Sequence, residues 1–274
     1  MGDSEQDFGE SAAPAADTAF KYILLDISGS VARLTLNRPP YNVLTIDMME
    51  EMARAIDGLH DQNEVRVILM QASPECKAFS AGVAIEDSRP DRAFQMLDSF
   101  QSVFRAMLEI SKPVITVVNG QAIGGGCELV ALADMIIATP KARFMQPEIR
   151  LGVFPPLAAV ILPHIIGQKR ALEMILTGEP LGAEEAMRLG LVNRVVPEAT
   201  LTQEVEKILG KITEQSAPVL EMAKRVMYDT IGMSVTEAMK RSANIYLNQL
   251  MDLDDATEGL LAMAEKRKPV WKNK

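Results

Sequence analysis

The stretch PVITVVNGQAIGGGCELVALADMIIA, residues 113–138, packs a strand, a glycine turn, a helix and a second strand into one short run. PVITVVNG is nearly continuous in apolar residues, the pattern of a strand buried on both faces of a parallel sheet. The glycines Gly124, Gly125 and Gly126 let the backbone turn sharply and let a ligand approach closely. Tight packing of strand against helix would use them equally well. CELVALAD then opens a helix whose first turn offers free N–H groups and the positive end of its dipole. MIIA is a further short strand. Strand, turn, helix and strand in this order form a unit of an α/β protein with parallel pairing.

Upstream, the same alternation appears twice more. YILLDISGSVARLTLNRPP (22–40) is two apolar runs split by Ser-Gly-Ser, a hairpin signal ended by Pro39 and Pro40. TIDMMEEMARAIDGL (45–59) sets Ile46, Met49, Met52, Ala53, Ile56 and Leu59 on one helical face, with Thr45 as N-cap and Asp47 in the first turn. VRVILMQA (65–72) is another buried strand. The loop SPECKAFSAGVAIEDSRPD (73–91) has no period, and a helix runs from about Asp91 to Ile110. Downstream of about Pro197 the strand signal vanishes, and charged and apolar residues alternate at helical spacing. The expected organisation is a leader over 1–19, an α/β core over 20–197 and a helical region over 198–274.

With 48% hydrophobic residues in 274, the chain can bury a substantial core. A net charge of −9 disfavours nucleic acid and anionic membrane surfaces. No apolar run approaches the ~18 residues of a membrane span. Cys76 and Cys127 are too few for a disulfide framework, and His60 and His164 stand too far apart to start a metal site. MGDSEQDFGESAAPAAD lacks the basic start and apolar stretch of a signal peptide, so a reduced, cytoplasmic setting is expected. No metal and no cofactor are expected.

Two glutamates are candidates for chemistry. Glu128 sits in the otherwise apolar CELVALADMII, where a carboxylate needs a partner or a task. An exposed first-turn position favouring the dipole explains it as well. Glu148, in FMQPEIRLG (144–152), can equally be a surface carboxylate paired with Arg150 or Arg143. Two carboxylates meeting in one pocket would form an acid/base pair. Spacing alone does not bring them together.

GGGCEL (124–129), QPEIRLG (146–152), KAFSAG (77–82) and LTLNRP (34–39), together with EGLLAMAEKRKPVW (258–271), resemble the signatures of the crotonase, or enoyl-CoA hydratase/isomerase, family. The likeness spans roughly Phe20 to Trp271. It implies an α/β spiral of β-β-α units with a helical C-terminal trimerisation region, in homotrimers or dimers of trimers. It implies acyl-CoA thioester substrates, with coenzyme A entering as part of the substrate. By motif position, the backbone N–H groups of Val83 and Gly125 would form the oxyanion hole, and Glu128 and Glu148 would handle water and protons. Keeping both glutamates points to a hydratase, a hydro-lyase, over an isomerase. The resemblance further suggests Lys77, Ala81, Ile85, Phe154 and Pro156 as substrate or CoA contacts. Lys268 and Trp271 would reach a neighbouring subunit's CoA.

The chain also departs from the common pattern. After FSAG it reads Val83, Ala84, Ile85, Glu86, without the family's Asp and Lys. After Gly152 it reads VFPPLAAVILPHIIG (153–167), where Pro155, Pro156 and Leu157 replace flexible glycines with a stiff apolar wall. These features, with YNVLTIDMM (41–49), look like the hydratases of cyclohexa-1,5-diene-1-carbonyl-CoA in anaerobic aromatic degradation. A rigid apolar pocket suits a flat ring. The alternative is hydration of a linear or cyclic monoenoyl-CoA, followed by an isomerase. An RNA-binding relative is disfavoured by the charge and the lack of a basic stripe.

Overall fold

The structure is a computed structural model and describes residues 20–274. The expected leader lies outside the described residues. β1 (Ile23–Ser28) and β2 (Val31–Leu36) form the expected antiparallel hairpin, turned at Gly29 with φ 57°. α1 (Ile46–Asp57) starts at Thr45, whose hydroxyl accepts from the Met48 N–H at 3.4 Å. Its expected apolar face is wholly buried.

There follow β3 (Val67–Ala72), α2 (Ala93–Glu109), β4 (Val114–Val118), β5 (Gln121–Ile123) and α3 (Gly125–Ala131). Then come β6 (Met135–Ala138), β7 (Arg143–Met145), α4 (Ala158–Ile166) and α5 (Gln168–Thr177). β8 (Leu181–Gly182), α6 (Ala183–Arg188) and β9 (Arg194–Val195) complete the α/β part. α7 (Leu201–Thr213), α8 (Ala217–Asp229), α9 (Val235–Ile245) and α10 (Asp254–Ala264) follow the last strand.

The strands form two sheets. The larger has the order β1-β2-β3-β4-β6-β9, parallel from β2 onward; the smaller has the order β5-β7-β8. β4 is buried at all five positions because both faces of its sheet are covered. One face packs on α1, α2 and α3. The other sets Val67, Leu69, Ile115, Val117 and Ile137 against Val205, Ile208 and Leu209 of α7. Each turn of the chain places one strand in the large sheet, then a strand or bridge in the small one, then a helix. β4-β5-α3 and β6-β7-α4 are successive coils, joined by the parallel pairs β4–β6 and β5–β7. The sequence shows no sign of β5, β7 or β8, which are too short to display a period.

The helical region is tied to this core by a buried ion pair. Lys224 Nζ lies 2.7 Å from Asp134 Oδ2 and donates to the Lys112 carbonyl at 3.0 Å. Tyr228 donates to the other Asp134 oxygen at 2.7 Å. Burial pulls the Lys224 pKa down, and the Asp134 carboxylate opposes that pull.

Candidate active site

Three successive coils deliver the groups of a single site, the middle one supplying two of them. The segment after β3 pairs with β5 through Ser80–Ala122 and with the chain before α1 through Leu44–Val83. The Leu44 N–H donates to the Gly82 carbonyl at 2.8 Å, and the Ala84 N–H donates to the Leu44 carbonyl at 2.9 Å. Gly82 C=O and Val83 N–H share one trans peptide plane and point in opposite directions. Leu44 therefore aims the Val83 N–H away from itself, on the side of β5 and the start of α3.

The next coil supplies a second donor. The Gly124 carbonyl accepts from Cys127 N at 2.8 Å and Glu128 N at 2.9 Å. The same peptide geometry turns the Gly125 N–H outward from the helix start. A Cβ on Gly82 would lie 3.6 Å from Gly125 N, so the two donors are neighbours. Among the described residues neither has a protein acceptor. Paired outward N–H groups suit an oxyanion.

Glu128 is 2% exposed. Its Oε1 accepts from Leu157 N at 3.0 Å and Ala158 N at 2.7 Å. These are orphan donors at the start of α4, so the helix end and the carboxylate satisfy each other. Burial raises the Glu128 pKa to about 7. The Ala158 and Leu157 N–H groups offset part of the rise, and the Glu148 charge adds to it.

Glu148 opens a 3-10 turn, Glu148–Leu151, directly after β7. Its carboxylate lies over Gly124, where an added Cβ would collide with Oε1 and stand 3.3 Å from Cδ. Burial raises this pKa too. Its Oε2 is buried without a partner among the described residues. Two glycines of the triplet make room for neighbouring side chains. Gly124 makes room for a carboxylate. Gly126 allows close packing, since a Cβ there would sit 2.6 Å from Ser80 Cβ.

Val83, Gly125, Glu128 and Glu148 therefore converge. Pro156 is half-buried beside Leu157, and Phe154 is exposed on the same segment. Ile85 is exposed just past the Val83 donor. Ala81 is half-buried, its N–H bound to the Tyr41 carbonyl at 2.9 Å. Lys77 is exposed, its ammonium 5.9 Å from the centre of the Tyr41 ring. Trp271 is half-buried: Nε1 donates to the Glu214 carbonyl at 2.7 Å, and the ring lies against Gly259 of α10. Lys268 is exposed, and its carbonyl accepts from Arg267 at 3.3 Å. The Leu157 and Ala158 donors escaped the sequence reading. The prolines before AAVIL mark that helix start and were its available signal.

Among the described residues no group of three or more His, Cys, Asp or Glu side chains could hold a metal, and no helix is long and apolar enough to cross a membrane.

The burial of Glu128 has a cost that can be measured. Its pKa rises from 4.5 to about 7 on folding, so the native state is penalised when the group ionises. The penalty is absent below pH 4.5, grows through the interval and is complete above about pH 7. At pH 8 it amounts to about 3 kcal/mol. Glutamine keeps the oxygen that accepts the two N–H bonds but never ionises. Glu128→Gln should therefore be more stable than the parent at pH 8, and its advantage should shrink toward pH 4.5. Denaturant unfolding at both pH values checks this. An advantage independent of pH would exclude ionisation as its cause.

The model of the enoyl-CoA hydratase/isomerase family matches residues 26–274. The chain belongs to that family. It is 33% identical to cyclohexa-1,5-dienecarbonyl-CoA hydratase of Thauera aromatica over 254 residues, covering 92% of this chain and 96% of that one. It is 36% identical to carnitinyl-CoA dehydratase of Escherichia coli over 258 residues, covering 90% and 97%. Among solved structures, an enoyl-CoA hydratase of Mycobacterium smegmatis superposes with a TM-score of 0.87 at 34% identity, covering 92% of this chain and 99% of that one. The expected crotonase-like α/β spiral is the fold observed. The names of these relatives are those of hydro-lyases, the enzyme class that the sequence pointed to.

Proposed function

We propose that the chain adds water reversibly to an unsaturated CoA thioester, and that this thioester is cyclohexa-1,5-diene-1-carbonyl-CoA. The observation that carries the hydratase reading is the meeting of two free N–H donors, Val83 and Gly125, with the buried Glu128 carboxyl and the half-buried Glu148 carboxyl. The donors hold the thioester oxygen and stabilise the enolate as charge develops there. Glu128 takes a proton from water, whose oxygen bonds to the unsaturated carbon distal to the thioester. Glu148 gives a proton to carbon: to the carbon next to the carbonyl in a monoenoyl thioester, and to C5, the far end of the conjugated system, in the ring diene. One proton leaves water and one enters the product, so the carboxyl pair ends with the single proton it began with. Burial raises both pKa values, and the Glu148 charge adds to the rise at Glu128, as expected of two carboxyls at one site.

The choice of ring rests on the Thauera relative and the segment 153–157. That segment is braced by two prolines and leads into the N–H groups on Glu128. Linear or cyclic monoenoyl-CoA remains the alternative, and carnitinyl-CoA is the competitor raised by the Escherichia coli relative. The proposal includes a homotrimer or dimer of trimers. Exposed apolar residues such as Met227, Met239, Leu260 and Met263 on α8, α9 and α10 support an assembly face there.

Purified protein, with its mass taken by light scattering, should appear as a trimer or hexamer; a monomer would remove the assembly from the proposal. It should hydrate cyclohexa-1,5-diene-1-carbonyl-CoA with a higher kcat/KM than cyclohex-1-ene-1-carbonyl-CoA or crotonyl-CoA, and should dehydrate carnitinyl-CoA poorly. A preference for crotonyl-CoA would leave the chemistry standing and remove the ring. Turnover of none of the four would remove the hydratase reading.

A further inference from the structure

The Val83 donor is aimed by backbone that must itself be held, and two buried side chains, Asn42 and Ser80, hold it. Asn42 is 0% exposed and adopts φ 48°, a left-handed conformation that asparagine tolerates. Its Oδ1 accepts from Arg38 N at 2.8 Å and from the Cys76 thiol at 3.2 Å. Its Nδ2 donates to the Phe79 carbonyl at 3.0 Å and, more weakly, to the Ala78 carbonyl at 3.4 Å. Its own carbonyl accepts the Ser80 hydroxyl at 2.8 Å. That hydroxyl in turn accepts the Gly82 N–H at 3.1 Å. Two residues beyond Asn42, Leu44 grips the Gly82 carbonyl and so fixes the Val83 peptide plane.

We propose that Asn42, whose side chain ties the turn at 38–42 to the Ala78 and Phe79 carbonyls, and Ser80, whose hydroxyl bridges the Asn42 carbonyl to the Gly82 N–H, are positioning residues that set the aim of the Val83 N–H at the thioester oxygen. Asn42 clamps the turn at 38–42 to the strand-like segment 78–84, so that Leu44 and Gly82 meet in register. Ser80 closes the clamp on the near side of the glycine. Neither side chain touches the reacting atoms. An aspartate at position 42 would set an anion against the Phe79 and Ala78 carbonyls, so the amide specifically is required. A misaimed donor is lost from the oxyanion hole although the peptide itself remains.

This proposal rests on the reading of Val83 and Gly125 as the oxyanion hole, and one spectroscopic probe separates the two. Butyryl-CoA is a saturated thioester and cannot be hydrated. Its carbonyl stretch, measured by difference Raman or infrared spectroscopy with a 13C label, should shift to lower frequency on binding to the parent enzyme. In Asn42→Gly, which keeps the left-handed backbone, the shift should shrink toward the free-solution value. Ser80→Ala removes only one oxygen, keeps the fold, and should shrink it as well. For both, kcat on the best substrate should fall ~10- to 100-fold with KM changed less than about threefold. In Glu128→Gln the carbonyl shift should persist although turnover is lost. A full carbonyl shift in Ser80→Ala would overturn the positioning role, whatever happens to kcat. No shift in the parent enzyme would overturn the oxyanion-hole reading itself, and this proposal with it.

Discussion

Glu128→Gln and Glu148→Gln should each lower turnover at least ~100-fold while leaving binding of the CoA thioester largely intact. Glutamine matches glutamate in size, so the cavity is unchanged. At position 128 its oxygen still accepts from Leu157 and Ala158 at the start of α4. What disappears is the capacity to take a proton. At position 148 the amide still lies over Gly124 but cannot return a proton to carbon. In the proposed mechanism the two carboxyls act on one water and one proton, so the double variant should lose far less than the product of the two single losses. Steady-state kinetics and calorimetric titration with a CoA thioester measure the two quantities separately. Near-normal turnover in either variant would strike that residue from the mechanism. Strictly multiplicative losses would show that the carboxyls do not act as a unit.

Gly124→Ala should cost as much turnover as Glu148→Gln, although the residue has no side chain and no proton to give. Two effects combine at this position. The backbone lies at φ 51° and ψ −125°, a conformation that alanine adopts only under strain of order 1–3 kcal/mol. The new Cβ would also overlap the Glu148 carboxylate, which must then move off the cleft. Gly29→Ala separates the two effects. Gly29 also has a positive φ, 57°, but nothing lies within 4 Å of its Cβ position. That variant should lose stability to a similar kind of strain and keep full turnover. Thermal unfolding and kcat measured on both proteins test the distinction. If Gly124→Ala kept its activity, the close approach to Glu148 would have no bearing on catalysis.

Both results depend on distances across the coil of the chain, and here the sequence had little to offer. Glu128 was legible as a carboxylate in an apolar segment, yet a solvated first-turn position explained it equally well. The deciding contacts come from residues 29 and 30 positions further along. Glu148 had two arginine neighbours in sequence as apparent partners. Arg150 instead pairs with Glu179 at 2.6 Å, and Arg143 donates to the Pro140 and Ala142 carbonyls, leaving Glu148 to the cleft. Trp271 is packed against Gly259 of α10 and bonded to the Glu214 carbonyl, contacts that spacing does not reveal. Asn42 carried no visible signal, because four of its five hydrogen bonds reach groups 34 to 38 positions away, which spacing cannot bring together.

The sequence by itself determined the local elements. The hairpin of β1 and β2, the apolar face of α1 with its Thr45 cap, the buried strands β3 and β4, and the helix opening at Gly125 follow from periodicity and turn chemistry. These act between residues only a few positions apart. The ordered set of motifs also placed the chain in its family. Only the tertiary structure decided the short sheet β5-β7-β8, the aim of the Val83 and Gly125 N–H groups, the placing of Glu148 over Gly124 and the raised pKa of Glu128. Peptide orientation depends on which strand lies alongside, and a carboxyl's pKa depends on what excludes water from it. Both are properties of neighbours in space, supplied by the next coil of the chain.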